Sequence, residues 1–185
     1  MKLEFAILDA LQTIHTPLLD SIMIFITKLG NGGMIMIAFT ILLLIIPKTR
    51  KTGMVLLAAL VLEALVTNLC LKPLVARIRP YEIKEGIKLL ISAPVDYSFP
   101  SGHTAAGFAL VSALFFEKKK IWIPVFLLAF IIAFSRLYLY VHYPSDVLCG
   151  AIIGIISGFF AKKIVEKIIK RRKNKEKSFK DKKAA

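Results

Sequence analysis

The chain has 185 residues, 57% of them hydrophobic, with 13 Phe against one Trp, a mean hydropathy of +0.70 and a formal net charge of +14. Soluble domains of this size sit nearer half apolar and spread those residues in short periodic runs, whereas here they form blocks approaching the roughly 20 residues of a bilayer-crossing helix. A soluble globule is excluded, and so is a nucleic-acid binder: no readout motif accompanies the charge, and 12 of the 26 basic residues lie between Lys162 and Lys183, directly after the last apolar block.

Residues 1–14 read as an amphipathic helix in the interface, with Leu3, Ala6, Ile7, Ala10 and Leu11 on one face. The stretch Met1-Lys2-Leu3-Glu4-Phe5 lacks the basic start, apolar run and small-residue cleavage site of a signal peptide. A first crossing is expected from about Thr16 to Lys28, followed by a turn at Gly30-Asn31-Gly32-Gly33. A second runs from Met34 to Ile46 and stops at Pro47; Lys48-Thr49-Arg50-Lys51 is the next loop, and a third crossing spans Gly53 to Leu71. Glu63 falls mid-membrane in that third crossing, with Asn68 about a turn further on. A hydrogen bond inside the bundle is expected to accommodate it, with headgroup access or proton movement as the alternative.

Residues 72–100 form a long polar connection, of a length that is usually functional or carries short elements of its own. A fourth crossing is expected from Ser101 to Phe116, a fifth from Ile121 to about Tyr140 and a sixth from Pro144 to Ala161, with no internal repeat. Cys70 and Cys149 have no metal-binding or redox spacing and read as buried free thiols, a disulfide between them remaining open. Counted by loop, 19 Lys and Arg lie on the side of the N-terminus, residues 48–51, 118–120 and the tail, against seven opposite. Basic loops mark the cytoplasmic side. Both termini are therefore expected inside, and the polar clusters that end the third and fifth crossings and begin the fourth all fall on the outer face.

Those clusters carry the chemistry. Lys72 ends the third crossing and Arg79-Pro80 follows; if the stretch is helical, seven residues are close to two turns and set both cations on one face. Like charges held together repel unless an anion lies between them. Simple snorkelling of basic side chains to the interface explains this segment equally well. Pro100-Ser101-Gly102-His103 opens the fourth helix, whose first amides are unpartnered and bind phosphate well, with Gly102 allowing close approach and His103 beside the ligand. Ordinary capping accounts for Ser101 but gives His103 no task. Ser135-Arg136 lies near the outer end of the fifth helix, and His142 has a carboxylate, Asp146, four residues on. That pairing fixes one imidazole nitrogen and leaves the other free to attack.

The three clusters, Lys72…Arg79-Pro80, Pro100-Ser101-Gly102-His103 and Ser135-Arg136…His142…Asp146, resemble the type 2 phosphatidic acid phosphatase superfamily of membrane lipid phosphatases at every motif position and in order. The resemblance implies a phosphatase working through a phosphohistidine, with no cofactor and no metal. His142 would be the nucleophile, Asp146 its orienting partner and His103 the general acid. Lys72, Arg79, Arg136, Ser101 and the Gly102 amide would hold the phosphoryl oxygens.

The expected fold is an all-α bundle of six transmembrane helices with its site at the outer face. Residues 1–165 make the membrane domain, residues 1–14 within it the interfacial helix, and residues 166–185 a basic cytoplasmic tail. The expected partners are a lipid phosphate and the bilayer, and no nucleic acid; oligomeric state is not encoded in any pattern above. Undecaprenyl pyrophosphate is the favoured substrate on resemblance to short bacterial members, with phosphatidylglycerophosphate or phosphatidate as the alternative. An anion-binding protein or transporter would use the same cations without needing the His142–Asp146 pair, and a haloperoxidase would share the phosphate-site pattern without the apolar blocks.

Overall fold

The computed structural model describes residues 1–184, and the described residues are helical with no strand. Helix α1 (Lys2–Gln12) lies across one end of a bundle. Its buried anchor is Leu8, packed against Tyr140 and Tyr143. Glu4 accepts from Ser145 Oγ at 2.5 Å and Arg77 Nη2 at 2.9 Å, Asp9 accepts from Tyr140 at 2.7 Å, and Gln12 donates to the Tyr138 carbonyl at 3.1 Å. The polar face of α1 therefore docks inward, where it finds partners, and Leu3 and Ile7 of the apolar face are left outward.

Helix α2 (Pro17–Leu29) starts where Thr16 accepts from the Leu19 amide at 3.3 Å and Pro17 takes the first position. It ends at Gly30. A single tight turn, Asn31–Gly33, with Gly32 and Gly33 at φ 58° and 67°, leads into α3 (Met34–Ile45). Only glycine takes those angles readily. The two axes differ by 45°, so α3 continues the direction of α2 instead of turning back. At 13 and 12 residues they are about 20 and 18 Å long, each short of a hydrocarbon core of roughly 30 Å. The two expected crossings are thus one broken passage through the bundle.

Helix α4 (Arg50–Ala64) returns and runs through a wide π turn, Leu65–Leu71, into α5 (Lys72–Val75). Ala76, at φ 46°, breaks the helix there, and α6 (Pro80–Ile83) is a separate single turn. Residues 84–101 carry no further helix before α7 (Gly102–Phe116), α8 (Trp122–Tyr138) and α9 (Pro144–Ala184). Two described stretches, Arg50–Ile83 and Pro144–Asp181, are long and apolar enough to cross a membrane alone, and the bent α2–α3 pair makes a third; α7 and α8 are apolar but shorter, at 15 and 17 residues. The chain traverses the bundle along α2–α3, α4, α7, α8 and α9.

This path separates α1 from the basic tail. Lys51 at the start of α4 reaches Glu117 beyond α7 and Glu166 of α9, and Lys162 donates to the Phe116 carbonyl at 2.5 Å, all at the end remote from α1. The expectation of both termini on one side is corrected for this reason. Only Lys2 changes side in the charge count, which becomes 18 against 8 with its direction intact. Helix α9 continues unbroken past residue 166, so charge and not backbone marks the tail.

A stripe of glycines sets the closest packing in the bundle. Gly150, Gly154 and Gly158 recur every four residues on α9 and face α7; a methyl group at Gly150 would come within 2.6 Å of the Ser101 carbonyl, and one at Gly158 within 2.7 Å of the Ala113 amide. Small residues at this spacing let two helix backbones touch where no water is expelled to drive association. Ala105, Ala109 and Ala113 complete the contact from α7. Cys70 and Cys149 are free thiols, and Cys70 is exposed, not buried as expected.

Candidate active site

The residues singled out in the sequence converge at the α1 end of the bundle. His142 lies in the short link between α8 and α9, 2% exposed, and Asp146 in the first turn of α9 is fully buried. His142 Nδ1 is 3.5 Å from Asp146 Oδ2, and Nε2 is 3.4 Å from Arg79 Nη1. The imidazole is thus bracketed by a carboxylate on one nitrogen and a cation on the other. Burial, aided by the charges of Arg136 and Arg79 and opposed by Asp146, pushes its pKa down from 6.5 to about 4. The ring is neutral near pH 7 and keeps a lone pair.

Asp146 takes its hydrogen bonds from groups other than His142, whose Nδ1 faces the carboxylate but is buried without a hydrogen-bond partner. It accepts from Arg77 Nη1 at 2.6 Å, Ser98 Oγ at 2.5 Å and the Tyr143 amide at 2.9 Å. Arg77 also stacks over the Tyr143 ring at 3.8 Å and binds Glu4 of α1. A buried carboxylate is stable only when charge and hydrogen bonds replace the water it has lost, and these three donors do that. Arg77 and Ser98 belong to none of the three sequence clusters; the only signal is a second arginine two residues before Arg79.

Lys72 and Arg79 do meet, though not on a continuous helix. The break at Ala76 turns the chain, and the two side chains reach the same carboxylate, Asp96 of the 84–101 segment. Lys72 Nζ contacts Asp96 Oδ2 closely, and Arg79 Nη2 donates to Oδ1 at 2.6 Å. Burial pushes the Asp96 pKa up, but the two cations prevail and hold it at about 2. The remaining Arg79 donors go to backbone: the Asp96 carbonyl at 2.8 Å, Tyr97 at 3.3 Å and Val141 at 2.5 Å, the last fixing the residue before His142. An oxyanion arriving between Lys72 and Arg79 must therefore replace the Asp96 carboxylate, and it can do so without disturbing those backbone contacts.

Ser101 precedes α7 and is fully buried, but its side chain caps no amide; its own amide donates to the Asp146 carbonyl at 3.1 Å and its hydroxyl accepts from Thr104 at 3.0 Å. Gly102 opens the helix, and a methyl group there would lie 3.9 Å from Lys72 Nζ. His103 Nε2 is 3.0 Å from Asn31 Oδ1, at the break between α2 and α3. Arg136 of α8 is 3% exposed; its Nη1 donates to Thr27 Oγ1 at 2.5 Å and its Nε has no partner. Thr27 and Asn31 are not among the expected site residues, because the sequence pattern marks only a membrane helix at Thr27 and a turn at Asn31.

Two cavities border His103. One is lined by Thr27, Lys28, Asn31, Ser92 and Arg136 among others. The other holds Glu63, Asn68, Lys72, Asp96 and Gly102. Glu63 Oε2 and Thr67 Oγ1 are buried without hydrogen-bond partners, so the expected bond within the bundle is not formed.

An arrangement of a neutral buried imidazole, flanking cations, a helix start and a second histidine suits attack on a phosphoryl group. Residues 52–170 match the PAP2 superfamily. The chain is 35% identical over 147 residues to an undecaprenyl-diphosphatase from Sulfolobus acidocaldarius, covering 79% of this chain and 70% of that one. Its fold resembles that of LpxE from Aquifex aeolicus, with a TM-score of 0.76, 34% identity and coverage of 87% and 95% of the two chains. It also resembles a transmembrane PAP2-type phosphatidylglycerolphosphate phosphatase from Bacillus subtilis, with a TM-score of 0.73, 27% identity and coverage of 90% and 86%. The chain belongs to the PAP2 superfamily and is a multi-pass membrane lipid phosphatase.

Proposed function

We propose that the protein hydrolyses the terminal phosphate of a polyprenyl diphosphate, with undecaprenyl diphosphate the favoured substrate, through a phosphohistidine at His142. The bracketing of the His142 ring between Asp146 and Arg79 carries this reading. Nε2 attacks the terminal phosphorus as the bond to the bridging oxygen breaks. The electron pair leaves on that oxygen, which takes a proton from His103. Lys72, Arg79, Arg136, Ser101 and the Gly102 amide hold the other phosphoryl oxygens as charge builds on them. Water then attacks the phosphohistidine, His103 accepts its proton, and the N–P electrons return to Nε2. The scheme balances without a metal or a cofactor.

An amphiphile fits the cavities. The polar cavity is bordered by Asn31, His103 and Arg136, and an apolar cavity by Ile35, Gly107 and Ile132, each four residues along the chain from its counterpart. A tail extending into the apolar cavity keeps its phosphate at the histidines. The likeness to the undecaprenyl-diphosphatase supports a diphosphate, and that to the Bacillus subtilis phosphatase supports phosphatidylglycerophosphate as the second reading. The site is assigned to the extracytoplasmic face of the cell membrane, since residues 48–51, 118–120 and the tail concentrate positive charge at the other end. Residues 166–185 are then a cytoplasmic tail.

Phosphate release from undecaprenyl diphosphate and phosphatidylglycerophosphate, at matched mole fraction in detergent with EDTA, tests the reading. Faster, chelator-resistant release from the diphosphate supports it; faster release from the glycerophospholipid transfers the assignment to the second reading.

A further inference from the structure

The two cavities beside His103 differ in the charged groups that line them. That holding Glu63 also holds Asp96, so two carboxylates face the single cation Lys72. That holding Lys28 has Arg136 as its second cation and no carboxylate in its lining. The Arg136 guanidinium is almost fully buried and its Nε is unpartnered, a donor directed at nothing in the chain. Among the described residues Lys28 forms no ion pair, whereas Lys72, Arg77, Arg79 and Lys84 each do. Lys28 follows Thr27, whose hydroxyl holds Arg136 in place, and both precede the break that presents Asn31 to His103.

Displacement at phosphorus sets the leaving oxygen opposite the nucleophile, so whatever that oxygen carries lies beyond His103 as seen from His142. For a monoester it carries carbon. For a diphosphate it carries a second phosphate, which brings roughly one to two further negative charges. We infer that the cavity lined by Lys28, Asn31, Ser92 and Arg136 is a leaving-phosphate subsite, and that Lys28 is the residue that makes the enzyme select diphosphates over monophosphates. The inference rests on the diphosphate reading above and names its structural basis. The carboxylate-lined cavity, unsuited to a second phosphate, is the rival location.

Farnesyl diphosphate and farnesyl monophosphate share a tail, so the ratio of their kcat/KM values isolates the second phosphate. The ratio is measured for the unaltered protein, Lys28→Ala, Lys28→Arg and Glu63→Gln in detergent micelles, together with inhibition by farnesyl monophosphate, the product, in turnover of the diphosphate. The expected result is a ratio well above one that falls about tenfold in Lys28→Ala and is kept in Lys28→Arg, as loss of one charge-assisted contact implies. Product inhibition should weaken in parallel in Lys28→Ala. Lys28 is exposed at the end of α2, so its replacement leaves the packed bundle intact. A ratio near one in the unaltered protein overturns the diphosphate reading and the subsite with it. A high ratio that Lys28→Ala leaves unchanged, or that only Glu63→Gln lowers, overturns the subsite alone.

Discussion

Arg77 Nη1 donates to Asp146 Oδ1 at 2.6 Å, and the other oxygen of that carboxylate lies 3.5 Å from His142 Nδ1. The arginine never touches the imidazole; it fixes the group that faces it. Arg77→Gln should therefore lower kcat while leaving KM nearly unchanged, by about 100-fold if the imidazole swings by an ångström. Arg77→Lys should recover part of the loss, because it restores charge but not the two-pronged grip on Asp146 and Glu4. Steady-state kinetics of the two variants check this.

Asp96 competes with the phosphoryl group for Lys72 and Arg79. Asp96→Asn removes the competing charge, so inhibition by inorganic phosphate or vanadate should tighten, by about tenfold for one displaced charge-assisted contact. Weaker inhibition in that variant would mean that the carboxylate holds the cations in position instead of competing for them.

The pH profile follows from His142. Its pKa is lowered to about 4, chiefly by burial, and protonation removes the lone pair that attacks. Activity should thus be present above pH 4 and be lost as pH falls through that value, well below the 6.5 of an ordinary imidazole. The acid limb of kcat/KM reports the free enzyme and is the quantity to measure.

Gly154 fixes the distance between α7 and α9, since a methyl group there would meet the Ala109 amide at 2.8 Å and the Ala105 carbonyl closer still. Gly154→Val should destabilise the protein by about 3 kcal/mol, the upper end of ordinary overpacking, because backbone and not a movable side chain stands in the way. Thermal unfolding in micelles, followed by Trp122 fluorescence, measures the loss of Tm.

Much of the site was legible because phosphate chemistry needs particular residue types at short, fixed spacings. Lys72, Arg79, Ser101, Gly102, His103, Arg136, His142 and Asp146 all sit in such clusters, and all come to one end of the bundle. Arg77, Asp96 and Asn31 were not legible, since each acts through a partner brought near by tertiary packing alone. The apolar blocks located the helices, but hydropathy cannot distinguish a turn that reverses the chain from one that bends it by 45°. That single ambiguity, at Gly30 to Gly33, moved α1 to the site end. Which face of α1 docks was not legible for a related reason: in a membrane setting the apolar side of an interfacial helix can face lipid while its polar side docks on the protein.

The central claim is that His142 forms a bond to phosphorus. Its most direct test is rapid alkaline quenching of the enzyme turning over a diphosphate labelled in its terminal phosphate, beside a His142→Ala control. The account predicts protein-bound label that survives alkali, is released by acid and is absent from the variant. Full turnover with no label on the protein, or equal label on His142→Ala, would contradict it.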